Sequence, residues 1–319
     1  MIVRWGLGEL EDTLSELGVS RPFLLATGRH LDVPRHIGRW GDLPTDDIAG
    51  IVATLGAADV LVALGGGSTI DVAKAVSAES SLPLLSIPTT YSGAEWTSFF
   101  GVRDGERRQR GGGTGANVAA IVYAPELTLE LPQAETVGTA LNALAHCAEA
   151  LYVEGHNEAA DVEALAGARL IGTWLPRVVQ SPRDREARTE LLRGACHGGA
   201  ALAGSMLALG HALAQALGGR YGAPHGALNA LTLPLALRFN QPVAAAAIAR
   251  FGEALGAGEP AARVEELARL GGFRRLRELG IPESAPAEVA EAAAARPGAK
   301  ANPRPVTPAD VEELLRQIW

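Results

Sequence analysis

This chain of 319 residues has few cysteines, no excess of basic residues and no long apolar run, and each absence excludes a class of protein. Two cysteines are too few for a disulfide framework, so we expect a reducing, cytoplasmic compartment. With 28 Lys+Arg against 36 Asp+Glu and a net charge of −8, the composition argues against a nucleic acid or an anionic membrane surface as partner. No stretch of about 20 apolar residues could span a membrane, and we expect no signal peptide.

The length and the residue patterns point to two domains. At about 150 residues per domain, the chain has room for two hydrophobic cores. Residues 1–131 alternate short apolar runs with amphipathic stretches, which predicts a parallel, doubly wound α/β sheet. The predicted strands are 22–27, 59–64, 83–88 and 119–123, and the predicted helices are 46–55 and 68–78.

Residues 132–319 have a different composition and a different spacing of apolar residues. Long Ala- and Leu-rich segments at helical spacing, separated by Pro or Gly, predict an all-helical second domain. These segments are 134–154, 158–180, 184–217 and 240–255, followed by an expected surface connection at 282–305 and a last helix from 308 to 318.

The strongest local signal is a glycine-rich junction between a predicted strand and a predicted helix. Gly65, Gly66 and Gly67 let the backbone approach a ligand closely, and the helix start favours a phosphate, with Ser68 as the expected N-cap. Hydroxyl side chains follow the next strand and face the same edge of the sheet: Thr89, Thr90 and Ser92. Together they predict a nucleotide site, the alternative for the glycines being a tight turn without a ligand.

A second group of polar residues lies in the helical half. Asn142 and His146 are four residues apart, so they share one helix face. His211 falls in another predicted helix, and His225 begins a Pro-His-Gly turn. The four side chains could converge on a metal ion or on a polar substrate, although each histidine could also be an ordinary hydrogen-bonded helix residue.

These motifs resemble a known group of enzymes. The run Gly65-Gly66-Gly67-Ser68-Thr69-Ile70-Asp71-Val72-Ala73-Lys74 resembles the GGGSxxDxxK fingerprint of the iron-containing alcohol dehydrogenase superfamily. Residues 87–95 resemble its second cofactor motif, and residues 210–226 resemble its paired-histidine region. Asn142-Ala-Leu-Ala-His146 and the ending Asn302-Pro303-Arg304-Pro305 are most similar to the maleylacetate reductase branch.

The resemblance implies a fold and a cofactor. The fold is an α/β Rossmann-like dinucleotide-binding domain followed by an all-α domain, the architecture also found in dehydroquinate synthase. The implied cofactor is NAD(P)H, whose pyrophosphate would be held by Gly65, Gly66, Gly67 and Ser68, and Asp71 and Lys74 belong to the same fingerprint. The nicotinamide would lie along Thr89, Thr90 and Ser92. The adenosine end would lie at Thr27 and Arg29. Because no acidic residue is present there to hold a ribose hydroxyl, Arg29 would favour NADPH over NADH, and both cofactors stay open from the sequence.

The resemblance also implies a reaction. In maleylacetate reductases, hydride passes to an unsaturated oxo-acid in the cleft between the domains, during aromatic compound catabolism, and a metal is generally not required. His225 and His211 would then be proton donors or oxyanion stabilisers, and His146 and Asn142 would orient the substrate. The expected assembly is a homodimer with a small acidic or carbonyl substrate. One departure is Gln215, which stands where the family usually has a histidine that can donate a proton.

Two other functions stay open from the sequence. One is an alcohol dehydrogenase or aldehyde reductase with Fe or Zn on His146, His211 and His225, the metal polarising a carbonyl. The other is a biosynthetic relative that has lost redox chemistry and serves as a lyase, cyclase or ligand-binding protein, in keeping with Asn142 and Gln215.

Overall fold

A computed structural model describes residues 1–28, 33, 36–105 and 108–319 of the chain. It divides the chain into two units, the first comprising Met1–Thr90 and Ala94–Leu129 and the second comprising Tyr91–Gly93 and Glu130–Trp319. The boundary expected from the sequence, at residue 131, lies two residues beyond Leu129. The short segment Tyr91–Gly93 leaves the first unit and joins the second.

The first unit is built on a sheet of six parallel strands. The strands of the unit in chain order are β1 (Ile2–Trp5), β2 (Pro22–Ala26), β3 (Gly38–Trp40), β4 (Val60–Gly65), β5 (Pro83–Pro88), β6 (Phe100–Arg103), β7 (Gln109–Gly113) and β8 (Asn117–Tyr123). The sheet has the order β1-β8-β5-β4-β2-β3, and β6 and β7 form a separate antiparallel hairpin. All four predicted strands are present. The edge strands β1 and β3 were not predicted because they are short and only half-buried.

Alternate residues of the strands cover the two faces of the sheet with apolar side chains. On one face Leu24, Val62 and Leu85 pack with α1 (Leu10–Glu16). On the other face Phe23, Leu61 and Leu84 pack with α2 (Ile48–Thr54) and α3 (Gly67–Ser80). Since both faces are buried, the strands are continuously apolar, as the sequence indicated. The predicted doubly wound α/β fold is confirmed.

The second unit is helical. Its helices are α4 (Gln133–Ala150), α5 (Glu158–Gln180), α6 (Arg185–Ala203), α7 (Leu209–Tyr221), α8 (His225–Leu255), α9 (Pro260–Leu270), α10 (Ala285–Ala294), α11 (Pro297–Lys300) and α12 (Pro308–Gln317). Among the described residues, no helix has both the length and the apolar character needed to cross a membrane.

Two expectations for the helical half are wrong. The segment 184–217 is not one helix, because α6 ends at Ala203 and α7 begins six residues later, at Leu209. The segment 282–305 is not a plain surface connection, because it contains α10 and α11. Two prolines of that segment, Pro286 and Pro297, lie in the first turn of α10 and of α11, where a missing N–H costs nothing, so they start helices and do not interrupt them.

Helix α4, which carries the polar residues singled out above, is packed at backbone distance. A β-carbon built on Gly198 of α6 would lie 2.8 Å from the carbonyl oxygen of Ala143 on α4. One built on Gly167 of α5 would lie 2.6 Å from the sulfur of Cys147, also on α4. Contacts this close leave no room for a methyl group, so small residues fix where α4 lies against its neighbours.

We expect Gly198→Ala to lower the free energy of unfolding by about 1–3 kcal/mol, because the added methyl group overpacks the α4–α6 contact. Chemical denaturation of the purified protein measures the change. Gly258→Ala is the matched control, since nothing lies within 4 Å of a β-carbon at that position. Equal stability of the two variants would show that α4 and α6 can move apart without cost.

Candidate active site

The glycine junction of the first unit has an uncapped helix start. Gly66 is the N-cap of α3, in extended conformation and with no side chain accepting from the first turn. The prediction that Ser68 is the N-cap is therefore wrong, because Ser68 lies inside the helix as its second residue. The first turn of the helix closes with the Ile70 N–H donating to the Gly66 carbonyl at 3.1 Å. The first N–H groups of α3 have no partner within the helix, as in sites that bind phosphate.

At two of these positions, Gly65 and Gly66, neighbouring side chains lie so close that a larger residue would not fit. A β-carbon on Gly65 would lie 2.6 Å from Thr69 Oγ1, and one on Gly66 would lie 3.0 Å from Thr90 Cγ2. Gly66 and Gly67 are half-buried and Ser68 is exposed, so their backbone is accessible to a ligand. The residues present therefore fit a pyrophosphate at the start of α3.

Asp71 and Lys74 hold a neighbouring segment of the first unit. The Lys74 ammonium is buried and donates to the carbonyl oxygens of Ala94 and Phe99 at 2.8 and 2.6 Å. It also lies 2.8 Å from Asp71 Oδ1, while Asp71 Oδ2 accepts from the Gly101 N–H at 3.3 Å. These three contacts match the three protons of the ammonium. In the structure, Asp71 and Lys74 therefore hold residues 94–101 in place. Contact of either side chain with the cofactor stays a prediction.

The other predicted cofactor residues are distributed as follows. The Thr89 N–H donates to the Gly65 carbonyl at 3.0 Å, and Thr90 Oγ1 is buried with no partner among the described residues. Thr27 is half-buried, and its carbonyl accepts from Arg39 Nη2 at 3.0 Å. Ser92 belongs to the second unit. Arg29 lies outside the described residues.

A buried carboxyl group follows the second cofactor motif. Glu95 Oε1 accepts from the Tyr123 hydroxyl at 2.8 Å, and that hydroxyl accepts from Trp96 Nε1 at 2.7 Å. Glu95 Oε2 has no hydrogen-bond partner in the described part of the chain. Burial, only partly offset by hydrogen bonds and by the Lys74 charge, raises the pKa of Glu95 above its ordinary value.

In the second unit, three histidines from three helices form one cluster. His146 of α4 and His211 of α7 are buried and stack with ring centroids 4.8 Å apart. His225 is half-buried, and its centroid lies 5.8 Å from that of His211. His225 is the first residue of α8, where the sequence indicated a turn. The structure thus brings together all three histidines that the sequence singled out.

Two asparagines connect the cluster and fix its protons. Asn229 Nδ2, on α8, donates to Asn142 Oδ1 at 2.6 Å and lies 3.0 Å from His225 Nε2. Asn142 Nδ2 donates to the Ser92 carbonyl at 2.8 Å and lies 3.4 Å from His146 Nε2. Because an amide nitrogen can only donate, the Nε2 atoms of His146 and His225 accept, which puts the ring proton of each neutral imidazole on Nδ1. Asn229 was not predicted, although its spacing from His225 repeats that of Asn142 and His146.

Glu149 is a further member of the cluster that the sequence patterns did not indicate. It lies one turn after His146 on α4 and is fully buried. Its carboxylate accepts from His211 Nδ1 at 2.7 Å, from the Ala208 N–H at 2.7 Å and from the His211 N–H at 3.2 Å. It therefore caps the start of α7 and holds the His211 ring with a proton on Nδ1. His211 Nε2 has no partner among the described residues.

The segment Tyr91–Gly93 lies against the histidine cluster. A β-carbon on Gly93, whose φ is +75°, would lie 3.3 Å from His146 Nδ1. The segment is anchored by Arg188, a buried side chain whose Nη1 donates to the Tyr91 hydroxyl at 3.2 Å and to Thr136 Oγ1 at 2.9 Å. Glycine at position 93 is thus required both by its backbone angle and by the closeness of the imidazole.

The donor set does not fit a metal ion. Among the described residues, no three His, Cys, Asp or Glu side chains are placed to share one. The Nε2 atoms of His146 and His225 accept from amides, and the oxygen of Asn142 accepts from Asn229. Burial and the nearby charges of His211 and His225 hold the pKa of His146 well below its ordinary value, so the ring is neutral. The cluster is consequently a set of hydrogen-bonding groups in a nearly dry environment.

Comparison with known proteins identifies the class. The profile of the "Fe-containing alcohol dehydrogenase family, C-terminal" matches residues 136–319, and that of "Iron-containing alcohol dehydrogenase" matches residues 40–124. The chain belongs to the iron-containing alcohol dehydrogenase family and is an NAD(P)-dependent oxidoreductase. The resemblance inferred from the motifs is confirmed.

Its relatives include several maleylacetate reductases. One from Sphingobium indicum is 38% identical over 85% of this chain and 77% of its own length. Another, from Pseudomonas sp., is 33% identical over 99% of this chain and 95% of its own length. The crystal structure of maleylacetate reductase from Agrobacterium tumefaciens superposes with a TM-score of 0.89 at 30% identity, covering 100% of this chain and 95% of that one.

We expect Glu149→Gln to lower kcat by about 10- to 100-fold, as loss of a group that orients a functional histidine typically does. All three groups around the carboxylate are N–H donors, so an amide in its place turns at least one hydrogen bond into a contact between two donors. Steady-state kinetics measures the effect. Glu163→Gln is the control, because Glu163 pairs in the same way with His197 at 2.6 Å but is 38% exposed. If both variants keep full activity, Glu149 does not orient His211.

We expect Glu95→Gln to stabilise the protein increasingly as the pH rises. The raised pKa means that native Glu95 keeps a proton that the unfolded chain releases above its ordinary value of 4.5. The wild type therefore loses stability as the pH rises from 4.5 towards the raised pKa, and the glutamine variant does not. Urea unfolding at pH 5, 6, 7 and 8 measures the difference, with the exposed Glu79→Gln as control. A difference that stays constant with pH would contradict this expectation.

Proposed function

We propose that the protein is an NAD(P)H-dependent reductase of the maleylacetate type, which reduces an unsaturated oxo-diacid to the saturated oxo-diacid without a metal ion. In this proposal residues 1–131 bind the cofactor and residues 132–319 bind the substrate. The enzyme would act in the cytoplasm as a homodimer, in aromatic compound catabolism, and Arg29 would favour NADPH. The similarity to maleylacetate reductases across nearly the whole chain supports the substrate class.

The observation that carries the metal-free reaction is the Asn229–Asn142 hydrogen bond of 2.6 Å. It occupies the oxygen of Asn142, and the two amide groups donate towards imidazole lone pairs that a metal ion would need. The cluster therefore offers N–H donors and a lone pair to a polar substrate. Such groups suit a reaction in which negative charge develops on an oxygen atom.

The chemistry that NAD(P)H would supply when bound is a hydride, and the substrate would accept it at the alkene carbon β to the ketone. The electron pair of the double bond then moves to the carbonyl oxygen and forms an enolate. His146 contributes an Nδ1–H donor that has no partner among the described residues, and this donor would hold the enolate oxygen. Asn142, whose amide is fixed by Asn229 and by the Ser92 carbonyl, would fix the orientation of the substrate.

A proton must reach the α carbon to complete the reduction. His211 and His225 are the donors in this proposal, and Glu149 would stabilise the imidazolium form of His211 through its contact with Nδ1. One hydride and one proton are taken up for each molecule of oxo-diacid, with one NAD(P)⁺ formed. The departure at Gln215 is accommodated because two other histidines lie within the same cluster.

The proposal is tested by following NADPH and NADH oxidation with maleylacetate as substrate, using protein that has been treated with EDTA. We expect rapid turnover that survives the chelator. His225→Ala should lower kcat by about 10²–10⁴-fold, the usual contribution of a general acid, while the Kd for NADPH, measured by cofactor fluorescence, stays unchanged.

Three results would contradict the proposal in different ways. Activity lost to EDTA and restored by Zn or Fe would establish the metal-dependent enzyme. NADPH binding without any reduction would indicate a relative that has lost redox chemistry. Full activity of His225→Ala would remove His225 from the mechanism and leave the reaction itself in place.

A further inference from the structure

The residue that departs from the family pattern, Gln215, is bound by an arginine. Gln215 lies one turn after His211 on α7 and is half-buried. Arg296, in the link between α10 and α11, donates from Nη1 to Gln215 Oε1 and from Nη2 to the Gln215 carbonyl, each at 3.2 Å. The amide thus accepts from a guanidinium at the position where the family usually has a histidine.

The segment that contains Arg296 runs beside His211. A β-carbon on Gly298 would lie 2.7 Å from the carbonyl oxygen of Ala208, which precedes α7. The same segment therefore contacts α7 at Ala208, three residues before His211, and at Gln215, four residues after it. Side chains four apart on a helix are neighbours, so the Arg296 guanidinium is held next to the face of α7 that carries His211.

The charge at this place matters for an acidic substrate. The cluster contains the buried carboxylate of Glu149, and His146 is neutral. Arg296 adds a permanent positive charge with a planar fork of N–H donors, the geometry that suits a carboxylate. The bonds to Gln215 fix the plane of the guanidinium.

We propose that Arg296, held by Gln215, binds a carboxylate group of the substrate and selects oxo-acids over neutral carbonyl compounds. This inference rests on the proposed reduction of an oxo-diacid and deepens it. It also gives Gln215 a role: an imidazolium at position 215 would repel the guanidinium, whereas a neutral amide oxygen accepts from it. Arg296 is in this sense a specificity-determining residue.

The test uses Arg296→Met and Arg296→Lys. For Arg296→Met we expect the KM for maleylacetate and the inhibition constant of adipate, a saturated diacid, to rise by about 10- to 100-fold, the usual loss for one charged hydrogen bond. We expect kcat to change by less than about threefold, because the chemistry lies with the histidines. Arg296→Lys should recover part of the affinity, and inhibition by the uncharged adipamide should not respond to either variant.

Arg220→Met is the matched control. Arg220 lies on the same helix, and its guanidinium pairs with Glu288 of α10, so its loss removes one positive charge and one contact between α7 and α10. It should leave the KM and the adipate inhibition constant unchanged. Equal effects of Arg220→Met and Arg296→Met would overturn the inference, because a general change of charge or packing would then explain both.

The outcomes separate this inference from the proposed function. If the wild type reduces maleylacetate and Arg296→Met has the same KM and inhibition constant, only the role of Arg296 fails. If the wild type does not reduce maleylacetate, calorimetry of adipate binding to the NADP⁺ complex tests whether the carboxylate site exists without the reaction. Binding that Arg296→Met weakens supports the carboxylate site without the reaction, and absence of adipate binding to the wild type overturns both.

Discussion

The buried carboxylate of Glu149 is the interaction on which the second unit depends. One negative charge, enclosed by protein, accepts three N–H hydrogen bonds from the start of α7 and from the His211 ring. A buried charge is costly unless it is fully hydrogen-bonded, so this geometry is held tightly. It joins α4 to α7 and sets the tautomer of His211, whose Nε2 has no partner among the described residues.

The same helix fixes the rest of the cluster. Asn142, His146 and Glu149 follow one another at intervals of four and three residues on α4, so they share one face. Glycines on α5 and α6 let this helix sit at backbone distance from its neighbours. Because α4 cannot shift without a clash, the groups on its face are preorganised, which is the condition for stabilising developing charge without reorganisation. In the first unit, an uncapped helix start and two sterically required glycines provide a comparably rigid place for a phosphate.

Much of this arrangement could be predicted from local patterns. The apolar runs identified four strands because both faces of the sheet are buried, and the motif spacing identified the glycine junction and the three histidines. The short edge strands and the helices begun by prolines at 286 and 297 could not be predicted in the same way, because tertiary contacts stabilise them. Ser68 looked like an N-cap by residue type, yet the backbone of Gly66 takes that position.

The partners of the predicted residues were the part that sequence could not supply. Glu149 is an acidic residue in a helix, a common surface feature, and only its burial shows that it binds His211. Arg296 and Gln215 are 81 residues apart, and nothing in their local sequence indicates that they meet. Asn229 is the exception, since its spacing from His225 matches that of Asn142 and His146 and could have been noticed.

The most direct test of the central claim, that this cluster serves hydride transfer to an unsaturated oxo-acid, is a single turnover with NADPH carrying two deuterium atoms at nicotinamide C4. Mass spectrometry of the product is expected to show a saturated oxo-diacid with one deuterium on a carbon that was part of the double bond. A saturated product without deuterium, or an unchanged substrate in the presence of bound NADPH, would contradict it.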